Sequence, residues 1–107
     1  MNILLDECTP RVVKRLLPER NISTAQEMGL AGLKNGDLLK AVEGRFEVFV
    51  TTDKNLRHQQ NLIGRKFAVL LLPSNQVPVV KALIPAIEAA LEIISEGDFI
   101  EIPLPFR

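Results

Sequence analysis

Ile3-Leu4-Leu5 runs straight into Asp6-Glu7, and further along Val48-Phe49-Val50-Thr51-Thr52 runs straight into Asp53. An apolar run that stops abruptly at an acid is how a strand buried on both faces reads when its carboxyl end emerges at a polar edge. Phe67 to Leu72 is a third such run, six apolar residues closed by Pro73-Ser74-Asn75. These three stretches predict the central strands of a sheet, and the segments between them predict how the strands are joined.

Thr9 followed by Pro10 predicts a helix start, with Thr9 as N-cap and Pro10 at the first helical position. Val12, Val13, Leu16 and Leu17 give its apolar stripe and Pro18 its exit. Ile22 to Ala25 reads as a short second strand. Asn35-Gly36-Asp37 ahead of Leu38, Leu39, Ala41 and Val42 opens a second helix. Lys54 to Gly64 is a polar loop with a helical turn. From Val77 to Ser95 the residues Val80, Leu83, Ile84, Ile87, Leu91 and Ile94 follow helical spacing, with Gly97 as the stop. Pro85 should kink or divide this helix, since it has no N–H and crowds the preceding turn. Phe99 to Ile102 forms a last strand before a Pro-rich tail. Strands alternating with helices imply an α/β fold, a central, mainly parallel sheet flanked by helices in three layers, with right-handed crossovers. The expected strand order is 2-1-3-4, with a fifth strand in addition. Such a sheet binds ligands beyond the carboxyl ends of its strands, where the order reverses.

A length of 107 residues, 47% hydrophobic, fits a single domain over 1–107 and excludes a multidomain machine. One Cys excludes an internal disulfide, and with no Cys/His cluster at zinc spacing a reducing, cytoplasmic setting is expected. No membrane span or signal peptide is expected. The 13 basic and 13 acidic residues cancel, but residues 1–66 carry +3 and 67–107 carry −3. An anionic ligand would favour the first part.

With strands 1 and 3 as neighbours, Asp6 and Asp53 share one rim and the loop at Gly36-Asp37 can add a third acid. Carboxylates gathered at one rim either rise in pKa or surround a cation. An all-oxygen set suits Mg²⁺ or Mn²⁺, with water and a substrate phosphate completing the shell. The same acids also read as residues that cap following backbone N–H groups, with Asp37 favoured by a helix dipole. Spacing alone leaves the two readings level.

The frame Leu4-Leu5-Asp6-Glu7 followed by Pro10, then Gly36-Asp37-Leu38-Leu39, then Val50-Thr51-Thr52-Asp53-Lys54-Asn55-Leu56, resembles the short PIN-like proteins, relatives of VapC-type toxins in the PIN nuclease superfamily. The match runs in order through most of residues 2–72, and the stretch Asn55 to Leu62 is similar to one subgroup of these proteins. The resemblance implies a three-layer PIN-like domain with metal-dependent endoribonuclease activity, often as the toxin partnered by a cognate antitoxin. It implies Asp6, Asp37 and Asp53 as catalytic acids, holding Mg²⁺ or Mn²⁺ with Asn55 as a neutral fourth ligand. Many relatives carry a second acid where Asn55 stands, and full-length PIN domains have extra helices that deepen the groove.

Lys54, Arg57, Arg65 and Lys66 follow the acidic motif, where they can grip an RNA backbone. Arg11, Lys14 and Arg15 read as solvated surface of the first helix, Glu7 as an auxiliary acid, His58 as an exposed loop residue and Cys8 as incidental. The apolar stripe of the long helix is wide enough to serve a homodimer or an antitoxin as well as the core. Two rival functions fit the same residues: a receiver-like phosphoacceptor, with Asp53 at the third strand and Ser74 after the fourth, and a non-catalytic PIN-like binding protein. The receiver lacks a Lys after the last strand.

Overall fold

A computed structural model describes residues 1–58 and 65–105, with the backbone alone at Asn35, Arg57 and His58. The elements in chain order are β1 (Asn2–Leu5), α1 (Val12–Leu16), β2 (Asn21–Thr24), α2 (Asn35–Val42), β3 (Val48–Thr51), a 3₁₀ turn (Lys54–His58), β4 (Ala68–Leu71), α3 (Val77–Ile93) and β5 (Phe99–Glu101). The strands form one all-parallel sheet in the order β2-β1-β3-β4-β5. The order reverses between β1 and β3, where Leu5 lies opposite Val50.

The continuous apolar runs are buried on both faces as their patterning requires: Leu4, Leu5, Phe49, Val50 and Leu70 are each 0% exposed. One face packs Ile3, Leu5, Val48, Val50 and Leu70 against Val12, Val13 and Leu17 around α1, and against Val80, Leu83, Ile87 and Leu91 of α3. The other packs Leu4, Phe49 and Val69 against Leu38, Leu39 and Val42 of α2, with Ala25, Leu30 and Leu56 from the loops. The fold is thus α/β, a five-stranded parallel sheet with three helices. Arg20, entering β2, ties the first face further by pairing with Glu88 (3.0 Å) and Glu92 of α3. Gly44 and Gly97, just past α2 and α3, have φ of +86° and +87°, the left-handed conformation in which a chain leaves a helix without a Cβ clash.

Two local expectations are corrected. Thr9 does not cap α1, whose N-cap is Arg11 with no side-chain cap. The Thr9 hydroxyl instead donates to the Val50 carbonyl (3.3 Å), a bond that only the folded sheet makes available. Pro85 does not divide α3, which runs unbroken from Val77 to Ile93. Pro85 is exposed, with Leu83 and Ile87 buried on either side, so its ring meets solvent and packing holds the helix across the lost hydrogen bond.

Candidate functional site

Strand β1 ends at Leu5, but the ladder continues one step because the Asp6 N–H donates to the Val50 carbonyl (2.9 Å). That bond fixes Asp6 at the switch point, 8% exposed. A carboxylate this buried is costly unless its oxygens are hydrogen-bonded. Both are: Oδ1 accepts the Glu7 N–H (2.8 Å) and Oδ2 accepts the Thr51 hydroxyl (2.7 Å). Thr51 is 0% exposed, and its Oγ1 accepts the Asp53 N–H (3.1 Å). One hydroxyl thus joins the Asp6 carboxylate to the backbone of Asp53. The Asp53 carboxylate accepts the Asn55 N–H (3.0 Å), which shapes the turn into the 3₁₀ segment.

Cys8 enters the same network. Its thiol donates to Asp6 Oδ2 (3.4 Å), while its Sγ accepts the Thr52 hydroxyl (3.0 Å). Among the described residues no buried side-chain nitrogen or oxygen lacks a partner, so the rim is a satisfied network that holds its side chains in place. Glu7 points elsewhere: its Oε1 accepts the Gly32 N–H (2.9 Å), and its carbonyl accepts the Gln26 amide (3.2 Å). Its part is to fasten the loop after β2 to the rim.

Thr51 therefore ties the Asp6 carboxylate to the backbone of Asp53, and Asp37 is placed differently. It lies in the first turn of α2, where an acid complements the helix dipole, and it is exposed because Leu38, Leu39 and Val42 take the inward side. Among the described residues no group of three or more His, Cys, Asp or Glu side chains stands close enough to hold a metal ion. The expected convergence of all three acids on one ion is not what this arrangement displays. The Asp6 carboxylate at the switch point is nonetheless the kind of ligand Mg²⁺ uses, since that ion commonly binds one or two carboxylates and completes its shell with water and phosphate.

Of the predicted backbone-gripping residues, Lys54 is exposed and lines a cavity of about 310 Å³ beyond the carboxyl ends of β4 and β5, with Leu72, Pro73 and Glu101. Arg65 is engaged by Glu43 at the end of α2 (3.3 Å). The Lys66 N–H (2.9 Å), with Arg65 beside it, holds the Glu43 carboxyl below the usual carboxylate range. Asn55 is exposed and acts here through its backbone. The side chains of Arg57 and His58, and the rest of the predicted loop to Gly64, lie outside the described residues.

Thr51, quoted above only as part of a strand, and Cys8, read above as incidental, both belong to this network. A signal for Thr51 was present: it stands two residues before Asp53, hence on the same side of an otherwise apolar strand. No family model, curated protein or solved structure matches the chain.

Proposed function

We propose that the chain is a metal-dependent endoribonuclease of PIN type, acting in the cytoplasm as the toxin of a toxin–antitoxin pair. The observation that carries the proposal is the Thr51 hydroxyl, which holds the Asp6 carboxylate and the Asp53 backbone together at the β1/β3 switch point. Ligands of parallel sheets bind there. Asp6 and Asp53 would hold Mg²⁺ or Mn²⁺, with Asp37 and Asn55 as outer contributors through water. Once bound, such a cation acidifies a water and stabilises charge on a phosphodiester oxygen. Thr51 fixes the Asp6 carboxylate, the Glu7 N–H keeps it from rotating, and Lys54 stands at the same rim to meet a phosphate. The outer line of α3, with Ala82, Ala86 and Ala89 exposed and Ile93 75% exposed, supports the homodimer or antitoxin part of the reading.

The strand order also favours the receiver reading, because β2-β1-β3-β4-β5 is the order of that fold. Against it, β5 is followed by Ile102-Pro103-Leu104-Pro105, with no Lys to neutralise a phosphoryl group. The test is single-stranded RNA with Mg²⁺ or Mn²⁺, beside a small phosphodonor with Mg²⁺. Cleavage by the wild type, abolished in Asp6→Asn and in Asp53→Asn, is expected; phosphorylation of Asp53 without cleavage would establish the receiver, and neither reaction would leave a binding protein.

A further inference from the structure

Alongside α1 and the edge strand β2 lies a cavity of about 600 Å³, within the range of ligand pockets (roughly 300–1,000 Å³). Its lining includes Arg11, Lys14, Arg15, Arg20, Thr24 and Glu27. The charges are not equivalent. Lys14 is bound by both oxygens of Glu27 (2.7 and 2.8 Å), and Arg20 is turned to Glu88 and Glu92. Glu27 is further held by the Thr24 N–H (2.9 Å). The Lys14 ammonium and that N–H keep its carboxyl ionised, with a pKa lowered to about 2. The cavity's acid is thus committed, whereas Arg11 and Arg15 form no ion pair or side-chain hydrogen bond among the described residues.

The placement of these two arginines works against the helix that carries them. Arg11 is the N-cap of α1, where a cation opposes the dipole, and no acid stands in the first turn. Arg15 lies one turn on, so like charges repel at i, i+4. Two planar forks on one wall suit bidentate contact with successive phosphates.

We infer that this cavity is a binding site for the phosphodiester backbone of a single nucleic-acid strand, gripped by Arg11 and Arg15. It lies on the α1 face of the sheet, one strand away from Asp6, since Thr24 pairs with Leu5. The inference goes beyond the nuclease reading and does not require the acid pair to be catalytic.

The test is binding of a short labelled single-stranded RNA to the full chain in EDTA, followed across a salt series. Each phosphate contact on a single strand contributes about 0.7 to the slope of log affinity against log salt. The variant Arg11→Gln/Arg15→Gln should flatten the slope by about 1.4 and weaken binding about tenfold or more near 0.1 M salt. Arg15→Lys, which retains the charge, should keep the slope, as should the exposed-charge control Lys40→Gln/Lys81→Gln. Because binding is read in EDTA, with no divalent cation available for cleavage, failure of the nuclease reading and failure of this site are read separately. An unchanged slope in the double arginine variant, or an equal loss in the lysine control, overturns the inference. Displacement of the RNA by a free mononucleotide or by polyglutamate as effectively as by unlabelled strand would reassign the cavity and overturn it too.

Discussion

The two faces of the sheet are covered by unequal means. On one, the 17-residue α3 and α1 lie over Ile3, Leu5, Val48 and Val50. On the other, the 8-residue α2 is supplemented by Ala25, Leu30 and Leu56, which belong to connecting segments. Strand alternation assigns the rim residues to the second face, because Asp6 follows Leu4 by two positions and Thr51 follows Phe49 by two. The acids therefore stand beside the cover that relies on loops, and the longer helix packs on the opposite side. Segments of this kind open at lower free energy than long packed helices, which suits the proposed function, in which a polymer would enter and leave.

The sharpest way to break this contrast is to excavate each face in turn. Ile87→Ala, at a position 0% exposed under α3, should cost about 2–5 kcal/mol in urea unfolding and lower the exchange protection of every slow amide together. Leu39→Ala, equally buried under α2, should accelerate exchange first in α2 and in the loop after β2. Uniform acceleration in both variants would mean that the faces open as one unit.

Thr51→Val probes the rim itself. It removes the hydroxyl that satisfies Asp6 while keeping the shape of the side chain, so a cost of about 1–3 kcal/mol and loss of RNA cleavage are expected. Thr51→Ser should restore both, and full cleavage by Thr51→Val would remove the hydroxyl from the proposal. Divalent cation comes next in size. At ten times its dissociation constant a bound ion adds about 1.4 kcal/mol by mass action on the native state. Mg²⁺ or Mn²⁺ should accordingly raise the thermal midpoint of the wild type and not that of Asp53→Asn; a flat response in the wild type counts against the metal.

The smallest effect belongs to Glu27, on the α1 face. Its folded pKa of about 2 lies below the ordinary 4.5, chiefly through Lys14. A depressed carboxyl pKa contributes stability that is complete above about pH 4.5 and is lost as pH falls towards 2. The pair is exposed, with side chains 43% and 44% accessible, so Glu27→Gln should remove only a slight part of the acid limb of a stability–pH curve. A limb unchanged between pH 4.5 and 2 would show that the pair adds nothing.

Much of this layout is legible in the chain because its decisive signals are local. Three uninterrupted apolar runs ending in polar residues locate β1, β3 and β4, and the helical spacing from Val80 to Ile94 locates α3. The departures arise where a group answers to a distant partner. Thr9 has the chemistry of an N-cap, yet the Val50 carbonyl claims its hydroxyl. Asp37 was correctly placed near a helix start, but which way it faces is set by Leu38 and Leu39 seeking the sheet. Asp6 and Asp53 are expected on one rim, whereas the bond from the Thr51 hydroxyl to the Asp6 carboxylate spans 45 residues of sequence and exists only where β1 and β3 pair.

The all-parallel topology also bears on how the chain reaches this state. No two neighbouring strands can be joined by a tight hairpin, so each pairing waits for an intervening crossover to form. The central pair is the most delayed, since Leu5 meets Val50 only after α1, β2 and α2 have been laid down between them. Folding of such a sheet is governed by the closure of long loops, and it is slow beside that of a helical bundle of equal length. The switch point where Asp6 and Thr51 meet is consequently a late product of assembly, and in a newly made chain the Asp6 carboxylate has no Thr51 hydroxyl to bind until the two central strands have found each other.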